Sequence, residues 1–195
     1  MGKIRKIEAV RKGTRVILQC RVSFVHLAEP WSGTEGNEKK YSVSCIVPKE
    51  DTATVKALEE AFAQALEEGT AKCWKGKKPN PQASSFKRPL KAGDVERPDD
   101  EAYAGSLYFT ASSKTKPATL DRYKKEIDAE KIYSGCHCLV SVNLFPYAQG
   151  SNGVAAGLNS VLFFADGDRL SGGGDGRHDF DEIEGLDEMD DLEDL

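Results

Sequence analysis

Residues 39–49 and 50–69, KKYSVSCIVPK and EDTATVKALEEAFAQALEEG, decide the fold class because the spacing of apolar residues changes between them. In the first stretch every second residue from Tyr41 to Val47 is apolar, which predicts a strand with one face on a core. In the second stretch the apolar residues recur every three or four positions, which predicts a helix over 50–68. The sequence therefore predicts a strand that leads directly into the clearest helix of the chain.

The ends of this helix and the segments around it complete the predicted architecture. Asp51 or Thr52 can cap the first turn, and Gly69 is a natural stop. Residues rich in Pro, Gly and Ser predict a loop at 28–38, and 120–131 is predicted as a short helix or turn. Segments rich in β-branched and aromatic residues predict further strands at 14–27, 103–112, 135–147 and 155–165. Five or more strands with one main helix predict a mainly β fold, a small barrel with a helical insert.

Two segments depart from this regular pattern. Residues 70–102 have almost no apolar period and carry many lysines and several prolines, and a loop of this length is usually functional or disordered. GDRLSGGGDG at 167–176 has the composition of a flexible linker. We therefore predict one folded domain at 1–170, followed by a flexible linker and acidic tail at 171–195.

The charge is divided unevenly along the chain. The whole sequence has 27 Lys and Arg against 32 Asp and Glu, for a net charge of −5. Residues 175–195 hold eleven of the acidic residues and one Arg, a net of −10, so residues 1–174 have a net of +5. A basic body joined to an acidic tail indicates a polyanionic partner.

The sequence carries no predicted membrane or export signal. No stretch approaches the ~20 apolar residues that a bilayer span needs, and the basic start MGKIRKIEAVRKG has no apolar signal-peptide core. Five cysteines cannot all pair within one chain and are best interpreted as reduced thiols. We expect a cytoplasmic protein without a membrane partner; the sequence leaves the oligomeric state open, a homodimer included.

The sequence carries no established metal or enzyme signature. In Cys136-His137-Cys138 the two cysteines share one face of a strand and the histidine does not, and no second ligand pair accompanies them. Buried small cysteines are the simpler interpretation. The chain has no P-loop, nucleophile elbow or HExxH motif. We predict no metal, no cofactor and no catalytic residues, although dispersed carboxylates of a nuclease would leave no local signature.

Cations and aromatic rings alternate in several stretches, of which KCWKGKK at 72–78 and SFKRPLK at 85–91 are the densest. Single-stranded nucleic acid requires this combination, because cations follow the phosphates and rings stack on bases of any sequence. The alternative is that the lysines are ordinary surface residues and the rings belong to the core. Because the two stretches lie in one long irregular loop, we favour contact with nucleic acid.

The acidic tail, DFDEIEGLDEMDDLEDL at 179–195, is too polar to build a core and is predicted to be disordered when free. Its apolar residues recur at every third position, as in an amphipathic helix formed on a partner. The alternative is a tail that only increases solubility. The predicted partner-binding residues are Phe180, Ile183, Leu186, Met189, Leu192 and Leu195.

The order of several blocks resembles the bacteriophage single-stranded DNA-binding proteins with an OB-type fold, a family long labelled a domain of unknown function. The blocks are KKYSVSCIVPKED, RPLKAGDVE, YAGSLYFTASSKTKP, IYSGCHCLVSVNLFPY and SNGVAAGLNSVLFFADGDRLSG. The resemblance implies an OB-like barrel that coats single strands in phage replication, recombination or repair, in the host cytoplasm. It also implies a tail that recruits replication or recombination proteins, although such tails often end in an aromatic residue and this chain ends in Leu195.

We expect the barrel face and the 70–91 loop to form a cationic groove with stacking rings. The predicted stacking residues are Trp31, Tyr41, Trp74, Phe86, Tyr108 and Tyr147. The predicted phosphate-binding residues are Lys39, Lys40, Lys72, Lys75, Lys77, Lys78, Lys87, Arg88, Lys114 and Lys116. Only one of the neighbours Tyr108 and Phe109 is expected to face the core. Two other classes stay open: a nuclease-associated DNA-processing component, and an acidic-tailed, chaperone-like protein without DNA affinity.

Overall fold

The structure is a computed structural model, and it describes residues 4–33 and 35–170. The predicted tail residues from Phe180 to Leu195 lie outside the described residues, so the boundary between the 1–170 domain and the 171–195 tail stays a prediction. No helix within the described ranges is long and apolar enough to cross a membrane.

A closed barrel of five strands forms the centre of the fold, which confirms the predicted mainly β class and the OB-like barrel. Around the barrel the strands follow the order β5-β3-β2-β7-β8, and β8 pairs with β5 in parallel to close the ring. The strands within the described residues are β1 (Val10–Lys12), β2 (Arg15–Trp31), β3 (Lys40–Pro48), β4 (Lys91–Ala92), β5 (Ser106–Ser113), β6 (Ala118–Leu120), β7 (His137–Tyr147) and β8 (Gly153–Ala165).

Alternation of side chains along these strands fills the barrel, because successive residues of a strand point to opposite faces. Val16, Leu18 and Val22 of β2 are fully buried, as are Val43 and Val47 of β3. These residues belong to one continuous apolar core. The residues of β3 and β5 that alternate with these core residues therefore face outward. The candidate site described below lies on this outward face.

Helix α1 (Thr52–Lys72) follows β3 and packs on β7, with further contacts to β2 and β8. Asp51 caps it: its carboxylate accepts a hydrogen bond from the Thr54 backbone N–H at 3.2 Å and from the Thr54 hydroxyl at 2.8 Å. Burial raises the pKa of Asp51, but hydrogen bonds from Lys6 and Thr54 outweigh it and hold the pKa below its ordinary value. The predicted helix and its Asp51 cap are confirmed.

The prediction that Gly69 ends the helix is wrong, because α1 continues through it to Lys72. A Cβ atom at Gly69 would lie 2.4 Å from the Trp74 ring and 2.6 Å from Pro146. The glycine therefore permits a close approach of Trp74 to the helix. Its role is packing and not termination.

The segment 70–102 is mostly built into the fold instead of forming one long loop. Trp74 and Phe86 join the main core, and β4 and the short helix α2 (Gly93–Glu96) follow. A 3-10 helix at Glu101–Tyr103 delays the start of β5 to Ser106, whereas the strand had been predicted from 103. The predicted turn or helix at 120–131 contains a second 3-10 helix, Ala129–Lys131.

Candidate nucleic-acid interface

The outward face of β3 and β5 carries small hydroxyl residues where the inward face carries the core. Ser44 lies opposite Thr110 and Ser42 opposite Ser112 in the ladder. The Ser44 and Thr110 hydroxyl oxygens are 2.9 Å apart, within hydrogen-bond distance. We call these four residues the hydroxyl floor. Thr110 is exposed and Ser42 and Ser112 are half-buried, whereas Ser44 is buried. The strip therefore offers hydroxyl donors and acceptors without bulky side chains.

One end of the hydroxyl floor is bordered by Trp31, the last residue of β2. A cavity of about 410 Å³, the Trp31 cavity, is lined by Trp31, Lys40, Ser42 and Ser112 among others. The indole is 55% exposed and stacks on His26, with ring centroids 4.7 Å apart and planes inclined by 12°. Trp31 is thus held flat against one neighbour while much of its surface faces solvent, which suits base stacking.

The cations at this end share one carboxylate. Glu38 lies 2.9 Å from the Lys114 ammonium and 3.9 Å from that of Lys40. The hydrogen bond from Lys114 holds the pKa of Glu38 below its ordinary value. Because these ion pairs are exposed, they are weak and can exchange Glu38 for a phosphate.

A second cavity, the Lys87 cavity, has a volume of about 600 Å³ and lies beside β5. It brings together predicted residues that are distant in sequence: Lys87, Arg88, Tyr108 and Tyr147, with Lys91, Thr110, Gln149 and Ser151 also in its lining. Thr110 and Ser112 are neighbours on one face of β5, about 7 Å apart at the rise of a strand. The two cavities therefore adjoin along the hydroxyl floor.

Trp74 and Phe86 do not reach this surface. Their exposed fractions are 6% each, and their rings meet edge to face at 5.8 Å in the core. The Trp74 indole N–H donates to the Tyr147 carbonyl at 3.2 Å. Because large rings gain most from removal from water, both have become anchors of the loop. Their burial removes them from the predicted stacking set.

Tyr108 is only 8% exposed, and Phe109 is 1% exposed, so both neighbours are buried on opposite faces of β5. Phe109 alone faces the main core, as expected for one of the two neighbours, but the choice of Tyr108 as an outward stacking ring is corrected. Tyr108 packs with Ile46 and Tyr103 in a second, small apolar cluster on the outward face. The segment that contains α2 and the first 3-10 helix supplies Tyr103 and creates this cluster. Tyr108 can contribute an edge to the Lys87 cavity but not an open stacking face.

The other predicted cations divide into two groups. Lys39, Lys114 and Lys116 are exposed in the segments that flank β3 and β5 beside the Trp31 cavity, where Tyr41 is half-buried on the core side of β3. The second group, which begins at the last residue of α1, lines neither of the two cavities in the described structure. Its members are Lys72, Lys75, Lys77 and Lys78, all exposed, with Lys78 paired to Glu67.

Four residues at this surface were missed by the sequence predictions. His26 supports Trp31, and Lys91 lines the Lys87 cavity. Phe24 is 47% exposed, and the Arg97 guanidinium lies 4.6 Å from the centre of its ring. Lys91 stood in a basic stretch and could have been included. Phe24 could not have been predicted, because nothing in a strand-like sequence indicates that the backbone turns one of its side chains outward.

The cysteines lie in the core, away from this face. Cys20, Cys45, Cys136 and Cys138 are buried, with the Cys136 and Cys138 sulfur atoms 3.6 Å apart. A hydrogen bond with Cys45, together with burial, raises the pKa of Cys20 well above its ordinary value. Within the described residues no group of three or more His, Cys, Asp or Glu side chains is arranged to hold a metal ion.

Comparison with known proteins places this geometry in a family. A phage protein, putative protein p50 of Acyrthosiphon pisum secondary endosymbiont phage 1, is 30% identical over 179 residues, covering 88% of this chain and 90% of the relative. The single-stranded DNA-binding protein of bacteriophage Enc34, solved in complex with ssDNA, superposes with a TM-score of 0.72 at 24% identity, covering 87% of this chain and 99% of that one.

A C-terminally truncated form of the same Enc34 protein gives a TM-score of 0.67 at 25% identity, with the same coverage of 87% and 99%. The model of the family described as Enterobacter phage Enc34, ssDNA-binding protein, matches residues 14–193, nearly the whole sequence. The chain belongs to the family of the Enterobacter phage Enc34 ssDNA-binding protein.

Proposed function

We propose that this protein binds single-stranded DNA without sequence preference. The observation that carries the proposal is the hydroxyl floor of β3 and β5, which runs between the Trp31 cavity and the Lys87 cavity. OB-type barrels bind oligonucleotides on the face of their second and third strands and on adjoining loops. Counted along the chain, β3 and β5 are the second and third of the five barrel strands.

Two kinds of contact hold the strand on this surface: aromatic rings stack on bases, and lysines pair with phosphates. The Trp31 indole offers a face to a base, and Tyr147 offers a second ring at the Lys87 cavity. Each stacked base contributes about 1–3 kcal/mol. Four lysines surround the hydroxyl floor and pair with phosphates, while the floor hydroxyls donate to phosphate oxygens. These lysines are Lys40, Lys87, Lys91 and Lys114. None of these contacts distinguishes one base from another, so binding is independent of sequence.

The tail belongs to the same proposal as a competitor and a recruiter. Leu170, the last described residue, packs on the Ile46, Tyr103 and Tyr108 cluster of the outward face. The described part of the chain therefore ends beside the hydroxyl floor. Residues 175–195 carry a net charge of −10, so the tail can occupy the groove when DNA is absent. Its apolar residues then bind replication or recombination proteins in the host cytoplasm once DNA displaces it.

Titration of a fluorescent poly-dT oligonucleotide at several salt concentrations tests the binding proposal. With about four phosphates neutralised, log affinity should fall against log salt with a slope near −3. A matched duplex and incubation with magnesium serve as controls for strand preference and cleavage. An affinity independent of salt, or equal affinity for the duplex, would overturn the proposal.

Truncation after Gly174 tests the tail. The shortened chain should bind poly-dT more tightly at low salt, because ten net negative charges no longer compete for the lysines. The gain should shrink as salt rises, since screening weakens the competition. Unchanged affinity at low salt would remove self-competition from the proposal.

A further inference from the structure

Phe24 has a backbone conformation that a bulky residue rarely adopts. Its φ angle is +46°, and the pairing of β2 with β3 shifts register between Ser23 and His26. Side chains with a Cβ are disfavoured there, so such a conformation is kept only where its surroundings impose it. The irregularity turns the ring out of the alternation, and Phe24 is 47% exposed at the edge of the barrel face. A strained strand that exposes an aromatic ring requires an explanation beyond packing.

Three aromatic rings surround the Arg97 side chain beside Phe24. Its guanidinium carbon lies 4.6 Å from the ring centre of Phe24, 4.8 Å from that of Tyr103 and 5.5 Å from that of Tyr108. Among the described residues it has no carboxylate partner, and its buried Nε atom has no hydrogen-bond acceptor. An arginine carries five N–H donors, so its charge and hydrogen-bonding capacity are left for an external group.

Two acidic residues, each three positions from Arg97 in sequence, are engaged by other partners. Asp94 is bound by the Lys49 ammonium at 2.5 Å and by the Gly105 backbone N–H at 2.8 Å. Asp100 accepts a hydrogen bond from the Ala102 backbone N–H at 3.1 Å, where it caps the 3-10 helix. Both carboxylates are therefore oriented toward other partners.

The Phe24 and Arg97 pair adjoins the proposed DNA surface. The Tyr103 hydroxyl, which lies under Arg97, donates to the Ser23 hydroxyl at 3.0 Å. Tyr108, the third ring around Arg97, also lines the Lys87 cavity. The pair is thus linked through Tyr108 to one cavity and through β2 to Trp31. An extended ligand on the hydroxyl floor can reach it without leaving the surface.

We propose that Phe24 and Arg97 form a further subsite for single-stranded DNA, in which a base stacks on the exposed Phe24 ring and Arg97 binds the adjoining phosphate. The subsite rests on the proposed function, because it extends the same strand beyond the two cavities. The aromatic rings fix the guanidinium before DNA arrives, so little side-chain freedom is lost on binding. The strained backbone of Phe24 is the local condition that presents its ring.

Phe24→Gly and Arg97→Gln test the subsite on the full-length protein. Glycine accepts a positive φ, so the melting temperature of Phe24→Gly should stay within a few degrees of wild type. Its affinity for poly-dT should nevertheless fall about 5- to 150-fold, the range that corresponds to loss of one stacked base. Arg97→Gln should lower affinity and reduce the steepness of the salt dependence by about 0.7, which corresponds to one phosphate on a single strand.

Matched controls separate a local contact from a general loss of charge or ring area. Arg11→Gln removes one positive charge at β1, where Arg11 pairs with Glu60 of α1, and should leave the salt slope unchanged. Tyr123→Ala removes a ring that is 79% exposed in the turn after β6 and should leave affinity unchanged. An oligonucleotide that contains iododeoxyuridine should crosslink to Phe24 in wild type.

The outcomes distinguish this subsite from the function on which it rests. If wild type does not bind poly-dT, the proposed function fails. If wild type binds but Phe24→Gly and Arg97→Gln bind as tightly and no crosslink forms at Phe24, the subsite alone is overturned. Equal losses in the control variants would also overturn it, because the effect would then not belong to this pair.

Discussion

The two tryptophans of this chain have similar neighbours in the sequence, but one is exposed in the structure and the other is buried. Trp31 is followed by Ser and Gly, Trp74 by Lys and Gly, and both segments read as irregular. Trp31 is 55% exposed and Trp74 is 6% exposed. Trp31 lies at the end of β2 with His26 as its ring neighbour, whereas Trp74 packs against Gly69 and Phe86.

This difference assigns separate roles to rings and cations in the basic loop. The buried rings of Trp74 and Phe86 fix the loop on the core, which allows Lys87 to pair with the start of β8. The Lys87 backbone N–H donates to the Asn152 carbonyl, and its carbonyl accepts from the Val154 N–H, each at 3.0 Å. The loop thus delivers cations to the groove, and exposed rings such as Trp31 contact bases.

Trp74→Ala should have the largest effect, and it should fall on stability. Replacing a buried tryptophan leaves a large cavity, so the free energy of unfolding should drop by about 3–5 kcal/mol. Denaturant unfolding followed by circular dichroism measures the change. A loss below about 1 kcal/mol would mean that Trp74 is not a core anchor, and the contrast between the two tryptophans would disappear.

Gly69→Ala should have the next largest effect on stability, because its new methyl group would lie 2.4 Å from the Trp74 ring. Overpacking of this kind costs about 1–3 kcal/mol of unfolding free energy. Glycine to alanine ordinarily stabilises a helix interior. Ala63→Gly, on the exposed side of α1, measures this propensity effect alone. A more stable Gly69→Ala protein would contradict the close packing of Trp74 on the helix.

Trp31→Ala should have the opposite result: it should weaken DNA binding and leave stability nearly unchanged. Loss of one stacked base should weaken poly-dT affinity by about 1–3 kcal/mol. The unfolding free energy should change by no more than about 0.5 kcal/mol, since the side chain is largely in solvent. Fluorescence anisotropy and thermal unfolding of the same preparation give both values. Unchanged affinity would move the stacking site away from the Trp31 cavity.

Periodicity in the sequence predicted the elements whose contacts are local or whose core face is regular. The alternation of β3, the stripe of α1 and the Asp51 cap all follow from short-range rules, and all are present. The closure of the barrel between β5 and β8 follows from long-range pairing, for which neither strand carries a local signal. The same holds for the approach of Trp74 to Gly69, where the sequence suggested a helix stop.

The sequence predicted many of the residues of the candidate site, but not how they are arranged in space. Trp31, Lys40, Lys87 and Tyr147 were chosen from their residue types and neighbours, and the structure places them around one face. Tyr108 was chosen on its hydroxyl, but the segment 93–105 covers its side of β5. Arg97 gave no signal, because its place among three rings depends on a strand irregularity at Phe24 and a 3-10 helix that supplies Tyr103.

Lys87→Gln against Lys78→Gln sharpens the division between the cavity and the outer part of the loop. Lys87 lines the Lys87 cavity, whereas Lys78 pairs with Glu67 of α1. Lys87→Gln should weaken poly-dT binding a few-fold and reduce the steepness of the salt dependence by about 0.7. Lys78→Gln should leave that slope unchanged. Equal effects would show that the whole basic loop contacts DNA without regard to the cavity.

The smallest expected effect is a pH dependence that originates beneath Trp31. Burial lowers the pKa of His26 from its ordinary 6.5, so the folded protein takes up this proton at a lower pH than the unfolded chain. The unfolded state therefore binds more protons as pH falls from about 7 to 5, and stability decreases in that window. His137, whose pKa is lowered by burial and by Arg21, contributes in the same direction.

DNA binding should show the opposite trend over the same pH range. A protonated His26 places a positive charge under the Trp31 cavity, so phosphates favour that form and affinity rises as pH falls. His26→Gln should flatten the rise in affinity and part of the loss in melting temperature, whereas His137→Gln should affect melting temperature alone. Parallel pH profiles of affinity for wild type and His26→Gln would contradict a role of His26 beside the bound strand. The two variants together thus separate a titration at the Trp31 cavity from one elsewhere on the barrel.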